Sequence, residues 1–136
     1  MSCVLRVSGQ SLDLDALLVE AKAKPNRVWL KGEPRLQGAR LNETSGATFV
    51  MSGAEFSGLE SQKQDVLVFL NEHSSWLSSV SARPGVSVVA DFGVELNPPY
   101  WASFAFEPHL LAALSQAGVT LELSTYPSGS EGASDA

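Results

Sequence analysis

Asp91 and Glu95 stand four residues apart within 86–96, where Val86, Val88, Ala90, Phe92, Val94 and Leu96 alternate with Ser87, Val89, Asp91, Gly93 and Glu95. A period of two belongs to a strand with one face on a core and the other turned outward, so both carboxylates share the outward face. A further strand is expected over 100–106, after the Asn97-Pro98-Pro99 connection. In a hairpin it adds Trp101 and Ser103 to that face, and Glu122 can join from a later alternating segment. Paired carboxylates beside an aromatic ring are the equipment of glycoside hydrolysis, where one acid protonates and the other attacks or activates water. The plainer reading is a solvated acidic face. An exposed Trp adds a third, a protein-binding surface, because Trp is enriched among the residues that dominate interfaces.

A second group is basic. Lys22, Lys24, Arg27, Lys31, Arg35 and Arg40 follow one another closely, interrupted by Glu33 and enclosing Trp29. They suit an anionic ligand or an acidic partner, with Arg27, Trp29 and Lys31 at the centre. Without a Gly-rich cradle between strand and helix they form no nucleotide motif. A solvated loop, with Trp29 packed on the core, accounts for the same residues.

The remaining reactive side chains are isolated. His73 falls on an apolar helical face, where a packed, hydrogen-bonded imidazole is the ordinary outcome. His109 follows Pro108 at a helix start, where the dipole disfavours its charged form. The two histidines lack the spacing of a metal pair, and neither sits in a nucleophile elbow. Cys3 is the only cysteine, so one chain can form no disulfide and no cysteine-based zinc site. No catalytic residue, metal or cofactor is therefore assigned.

Bulk properties narrow the classes further. The 136 residues are 44% hydrophobic and 18% charged, as in an ordinary globular domain. The net charge of −6 argues against general nucleic-acid binding, which needs clustered Lys and Arg. The charge is unevenly placed. Residues 1–40 hold seven basic against four acidic side chains, and 41–136 hold two against eleven. The longest apolar runs, such as Val66–Leu70, are too short to span a bilayer. Met1-Ser2-Cys3-Val4-Leu5-Arg6 lacks a basic segment followed by an apolar one, so no secretory signal and a cytoplasmic location are expected.

Secondary elements must position these residues. Residues 3–8 read as a strand. Ser11 or Asp13 caps a helix carrying Leu14, Leu17, Leu18 and Ala21, which Pro25 stops. Asn26–Lys31 reads as a short strand, 35–46 as a loop and Thr48–Met51 as the next strand. Ser57 and Glu60 match a capping box. Val66, Phe69, Leu70, His73, Leu77 and Val80 then continue one face of a single long helix that Pro84-Gly85 ends. After the strands at 86–96 and 100–106, Pro108 opens a helix with Leu110, Leu111 and Leu114, and Gly118 closes it. Val119, Leu121 and Leu123 alternate in a last strand. The order βαββαβ-βαβ implies an α+β two-layer sandwich with a ferredoxin-like start: a mostly antiparallel sheet with helices on one face. Residues 1–127 are read as one globular domain and 128–136 as a disordered tail.

Three segments carry a resemblance to a family. They are Leu5-Arg6-Val7-Ser8-Gly9 with Leu12-Asp13, then Arg27-Val28-Trp29-Leu30-Lys31-Gly32-Glu33-Pro34, and Leu114-Ser115-Gln116-Ala117-Gly118-Val119 leading to Leu121-Glu122-Leu123 and Tyr126. Over about residues 3–127 the chain resembles an uncharacterised bacterial family of small α+β domains, similar in kind to toxin-immunity proteins. The resemblance implies a partner rather than a substrate: a protein toxin that the domain binds and blocks. An acidic surface is suited to mimic the polyanionic substrate of a basic nuclease toxin. The expectation is a non-enzymatic protein-binding domain contacting its partner through Asp91, Glu95, Trp101, Ser103, Glu122, Arg27, Trp29 and Lys31. Two alternatives stand beside it. One is a small hydrolase or ligand-binding domain using Asp91, Glu95 and Glu122. The other is a homo-oligomeric module with Trp101 buried between subunits.

Overall fold

The computed structural model describes residues 2–35, 38 and 40–128. The elements are β1 (Cys3–Gly9), α1 (Leu14–Glu20), β2 (Arg27–Trp29), β3 (Ser45–Ser52), α2 (Leu59–Glu72), α3 (Ser74–Ser81), β4 (Val86–Leu96), α4 (Pro108–Gln116) and β5 (Thr120–Pro127). The fold is α+β, with four helices and one five-stranded sheet in the order β2-β3-β1-β4-β5. β1 lies at the centre, antiparallel to β3 on one side and β4 on the other; β2 is antiparallel to β3 and β5 parallel to β4. This order interleaves two split β-α-β crossovers and then adds a third through α4.

The alternation of β1 decides which side becomes the core. Cys3, Leu5 and Val7 are fully buried while Val4, Arg6 and Ser8 are not. In register with the buried set stand Ala47 and Phe49 of β3 and Val88, Ala90 and Phe92 of β4. Onto that side pack Leu14 and Leu17 of α1, Val66, Phe69 and Leu70 of α2, Trp76, Leu77 and Val80 of α3, and Leu110 and Leu114 of α4. All four helices therefore feed one core on one face, as the two-layer expectation requires. Local signals act as anticipated at several ends. The Asp13 carboxylate accepts the Ala16 N–H at 3.1 Å, Pro108 opens α4, and Gly118 takes the left-handed conformation (φ 73) that closes it.

The element order departs from expectation in two places. The long helix is broken at His73 (φ −114, ψ 20), where α2 ends and α3 begins. The break leaves the apolar face intact: Val66, Phe69 and Leu70 before it and Leu77 and Val80 after it all stay buried. Ser74 and Ser75 follow the break, and serine favours a helix start over a helix interior. The Ser57–Glu60 capping box does not form either. Gly58 rather than Ser57 is the cap residue, which sets Glu60 at the second helical position instead of the third, and Glu60 pairs with Lys63 at 2.7 Å.

The larger correction concerns 100–106, which is not a strand. The chain turns at Asn97–Tyr100, with the Tyr100 N–H donating to the Asn97 carbonyl at 2.7 Å and Tyr100 at φ 68. It then runs without strand pairing to Glu107. The reason is topological. β5 is parallel to β4, so the chain must return along the sheet before β5 can start, and 97–107 with α4 is that return. Phe106 sits over Phe92, with ring centroids 5.3 Å apart, which makes the segment a lid on the core rather than a ladder. Of the expected tail, Ser128 directly follows β5 and donates its N–H to the Leu96 carbonyl, and 129–136 lie outside the described residues. Among the described residues, no helix is long and apolar enough to cross a membrane.

Candidate functional site

With the helices on one side, the other face of the sheet carries no helix among the described residues. Register assigns its side chains. Arg27, Thr48, Arg6, Val89 and Thr120 form one row across all five strands. Val50, Val4, Asp91 and Glu122 form the next, and Trp29, Gly46, Ser8 and Ser87 lie on the far side of the first. Glu95 stands beside Tyr126 at the other end of the β4–β5 pair. Five of the expected contact residues, Asp91, Glu95, Glu122, Arg27 and Trp29, thus share one surface, although they arise from opposite ends of the chain.

Its two edges differ in chemistry. At β2 the Trp29 ring lies over Gly46, so close that a Cβ there would sit 2.3 Å from the indole Cζ2. Glycine at 46 is what allows the indole to lie on the sheet. The Trp29 Nε1–H donates to Thr44 Oγ1 at 3.3 Å, and the Arg27 guanidinium stands 5.4 Å from the ring centroid, a cation–π distance. Thr48, between Arg27 and Arg6, has a buried hydroxyl with no hydrogen-bond partner. At β4 and β5 the character is acidic. The Ser124 hydroxyl donates to Asp91 at 2.7 Å. Arg6 reaches across β4 to Glu122 at 3.1 Å, and Val89 on the strand between them is buried although it points outward. The pair is exposed enough that it contributes little stability, about 0–1 kcal/mol for such bridges. It fixes where the charges sit. Between the edges Val50 is 40% exposed.

The other expected site residues lie apart from this face or at its margin. Trp101 and Ser103, without the hairpin that was to carry them, lie in the return segment; Trp101 is 79% exposed. Lys31 is exposed just beyond β2, where its N–H donates to Ser45 Oγ at 2.9 Å. The Arg35 N–H donates to the Arg40 carbonyl at 3.0 Å and Pro34 bridges Leu41, so among the described residues 30–35 and 40–44 lie side by side and prolong β2 and β3. A concavity of about 250 Å³ beside β2 includes Arg27, Trp29, Glu33 and Arg35. A larger one, about 470 Å³, lies between α2, α3 and α4. Neither contains Asp91, Glu95 or Glu122. His73 is half-buried against Phe69, at 4.3 Å between ring centroids. His109 is exposed in the first turn of α4. Burial, with the charge of Asp91 behind it, pushes the Cys3 thiol up to about 12, which keeps it protonated and unreactive. Among the described residues no three His, Cys, Asp or Glu side chains gather to hold a metal ion.

Two residues that pattern reading passes over matter here. Arg6 is one; its signal was its place in the outward set Val4, Arg6, Ser8. Lys63 is the other. Its side chain is buried, with ion pairs to Glu60 at 2.7 Å and Glu107 at 3.1 Å and the Phe106 ring 5.4 Å away. Burial alone would lower its affinity for the proton, but the hydrogen bonds and charges of Glu60 and Glu107 outweigh it and hold the ammonium above its ordinary range. Glu107 is held below the usual carboxylate range by its own backbone N–H and then by Lys63. Lys63 thereby ties α2 to the start of α4. Nothing in the spacing of 60, 63 and 107 announces this.

No protein-family model matches the chain, and neither the curated proteins nor the solved structures give a match. The site stands on its own residues.

Proposed function

We propose that this chain is a non-enzymatic protein-binding domain and that the open face of its sheet is the surface that engages the partner. The observation that supports this reading is the face itself. It is a five-stranded surface that no helix covers among the described residues, with a cation–π pair at one edge, exposed Val50 on β3 and carboxylates at the other edge. Apolar area flanked by charges of defined sign is the composition by which proteins recognise one another and fix register. Asp91 and Glu122 already have partners in Ser124 and Arg6 and stand on an open sheet, which suits a surface that holds a shape better than an acid–base pair awaiting a substrate.

The finer form of the reading is an immunity protein that binds and blocks a bacterial toxin, as the family resemblance implies. The distribution of charge sharpens what such a toxin must look like. The face is dipolar rather than uniformly acidic, so a matching partner presents basic groups against β4 and β5 and acidic ones against Arg27. In co-purification from the native host, the wild-type chain retains a stoichiometric partner. Val50→Glu and Arg27→Glu each reduce that retention at least tenfold, while Val19→Glu, on exposed α1, leaves it unchanged. Retention untouched by both face variants, or lost with Val19→Glu, contradicts the proposal.

A further inference from the structure

The charges of the open face stop at one end. The row Trp29, Gly46, Ser8 and Ser87 carries no charged side chain. Just beyond it, where β1 ends and β3 and β4 begin, lies a concavity of about 420 Å³. That volume falls within the range of small-molecule sites, roughly 300–1,000 Å³. Among the described residues it is lined by Ser8, Gln10, Ser11, Thr44 and Ser87, and Gly9 and Gly85 complete it. A Cβ on Gly9 would lie 2.8 Å from the Gly85 carbonyl oxygen, so the two backbones meet directly with no room for a side chain between them.

The lining decides what this concavity can hold. Among the described residues none of it is charged, so it offers no selective contact to phosphate, carboxylate or ammonium. Pro84 is the one apolar side chain described there, which leaves little for a hydrophobic ligand. The rest are hydroxyls and an amide, and each of these groups can both donate and accept. The side chains of Ser8, Gln10, Ser11 and Ser87 make no hydrogen bond to the described chain. Thr44 is half used: its Oγ1 accepts the Trp29 Nε1–H at 3.3 Å and keeps its own O–H to donate. The same bond pins the indole at the rim, on Gly46 and in one row with Ser8. Arg27 belongs to the next row, away from the concavity. Uncharged, unused hydrogen-bonding groups beside a fixed aromatic surface match a molecule with hydroxyls around its edge and C–H groups on its faces.

We propose that this concavity binds a neutral saccharide. One sugar ring lays a C–H face against the Trp29 indole, and its hydroxyls form hydrogen bonds with Ser8, Gln10, Ser11, Thr44 and Ser87. These groups come from the end of β1, the approach to β3 and the start of β4, and the sheet order alone brings them together. Water competes for each of them, and the net gain per hydrogen bond is small, so the Kd is about 1 mM. The site meets the partner-binding face at Trp29 but depends on the uncharged end of the sheet. Either assignment can fail without the other.

Heteronuclear NMR of the full chain tests it, with D-glucose, D-galactose, D-mannose and N-acetyl-D-glucosamine each added up to about 50 mM, enough to saturate a millimolar site. At least one of these sugars moves the amides of Gly9, Gln10 and Gly85 and the Trp29 indole N–H together, on one saturating curve. Ser87→Val and Gln10→Ala, both at exposed positions, each weaken that binding at least fivefold and keep the circular dichroism of the wild type. Asp91→Asn and Val50→Glu leave it unchanged. The methyl glycoside of the same sugar separates the two sources of such a ligand: it binds equally well where the site takes the end of a glycan, and at least tenfold more weakly where it takes a free reducing sugar. Absence of a saturable shift with all of these sugars overturns the proposal. So does binding that Ser87→Val leaves intact, a shift centred on Asp91 and Glu122 in place of Gly9 and Gly85, or the same saturating curve from glycerol.

Discussion

Lys63 and Glu107 show how much a single pair of side chains can decide in this chain. The Lys63 ammonium is buried and has two carboxylates within 3.1 Å, and through Glu107 it anchors the end of the return segment where α4 begins. Both shifts have a defined sign in stability. The Glu107 carboxyl titrates below its ordinary 4.5 in the folded chain, so its contribution is complete above that value and lost as pH falls through the lowered one. The Lys63 ammonium titrates above its ordinary 10.5, so its contribution is complete below that value and lost as pH rises through the raised one. Thermal melts across pH should show a plateau between roughly pH 5 and pH 8 that falls at both ends, the alkaline fall beginning near the ordinary Cys3 value of 9.0, where only the unfolded chain gives up that proton, and steepening as Lys63 titrates. Glu107→Gln should lower Tm on the plateau and flatten the acid limb; an acid limb identical to that of the wild type would contradict the assignment. The same residues mark a limit of pattern reading. Asp91, Glu95 and Glu122 were legible as candidates because strand alternation states which face a side chain takes, whereas Arg27 and Trp29 were legible only as members of a basic run and not as part of that face. Lys63 was not legible, because its link to α4 depends on Glu107, which 44 residues of chain separate from it, and the Glu60 spacing alone describes an ordinary helix-surface pair.

Elements were legible wherever one local signal decided them. Strand alternation gave β1, β4 and β5, and Asp13, Pro108 and Gly118 marked helix ends. They were illegible where two arrangements share one pattern. The apolar stripe of 66–80 fits a continuous helix and a broken one equally well, since both bury the same residues, and only the backbone at His73 separates them. The alternation of Ala102, Phe104 and Phe106 resembles a strand, but Phe106 packs over Phe92 as part of a return path. A hairpin and a parallel crossover are distinguished by where β5 pairs, which 100–106 does not encode. Gly118 closes α4 in a conformation that a side chain opposes. Its φ of 73 disfavours any residue with a Cβ, and a Cβ there would lie 2.4 Å from the Ser81 hydroxyl, locking the α4 exit against α3. Gly118→Ala should cost at least roughly 1–2 kcal/mol, read from the urea midpoint. A midpoint equal to that of the wild type would show that the α4–α3 contact yields freely.

At the scale of the whole molecule, the separation of charge along the sequence becomes a separation across a surface. The basic first part supplies Arg6 and Arg27, and the acidic remainder supplies Asp91, Glu95 and Glu122. The sheet order sets them on one face with Arg27 at one edge and Glu122 at the other. Composition alone revealed the imbalance; only the interleaving of β1 between β3 and β4 turned it into a dipolar face. The acids around Trp101 and the basic residues around Trp29 were expected as two regions. Trp101 lies off the sheet, and the acids and Trp29 belong to one surface. The central claim is that this surface meets the partner. Hydroxyl-radical footprinting of side chains, with and without the co-purified partner, tests it most directly. Trp29, Val50 and Tyr126 should lose at least half of their labelling in the complex, while Val19 and Val68 on the helices keep theirs. Protection of Val19 and Val68 with Trp29 and Val50 still fully labelled would contradict it.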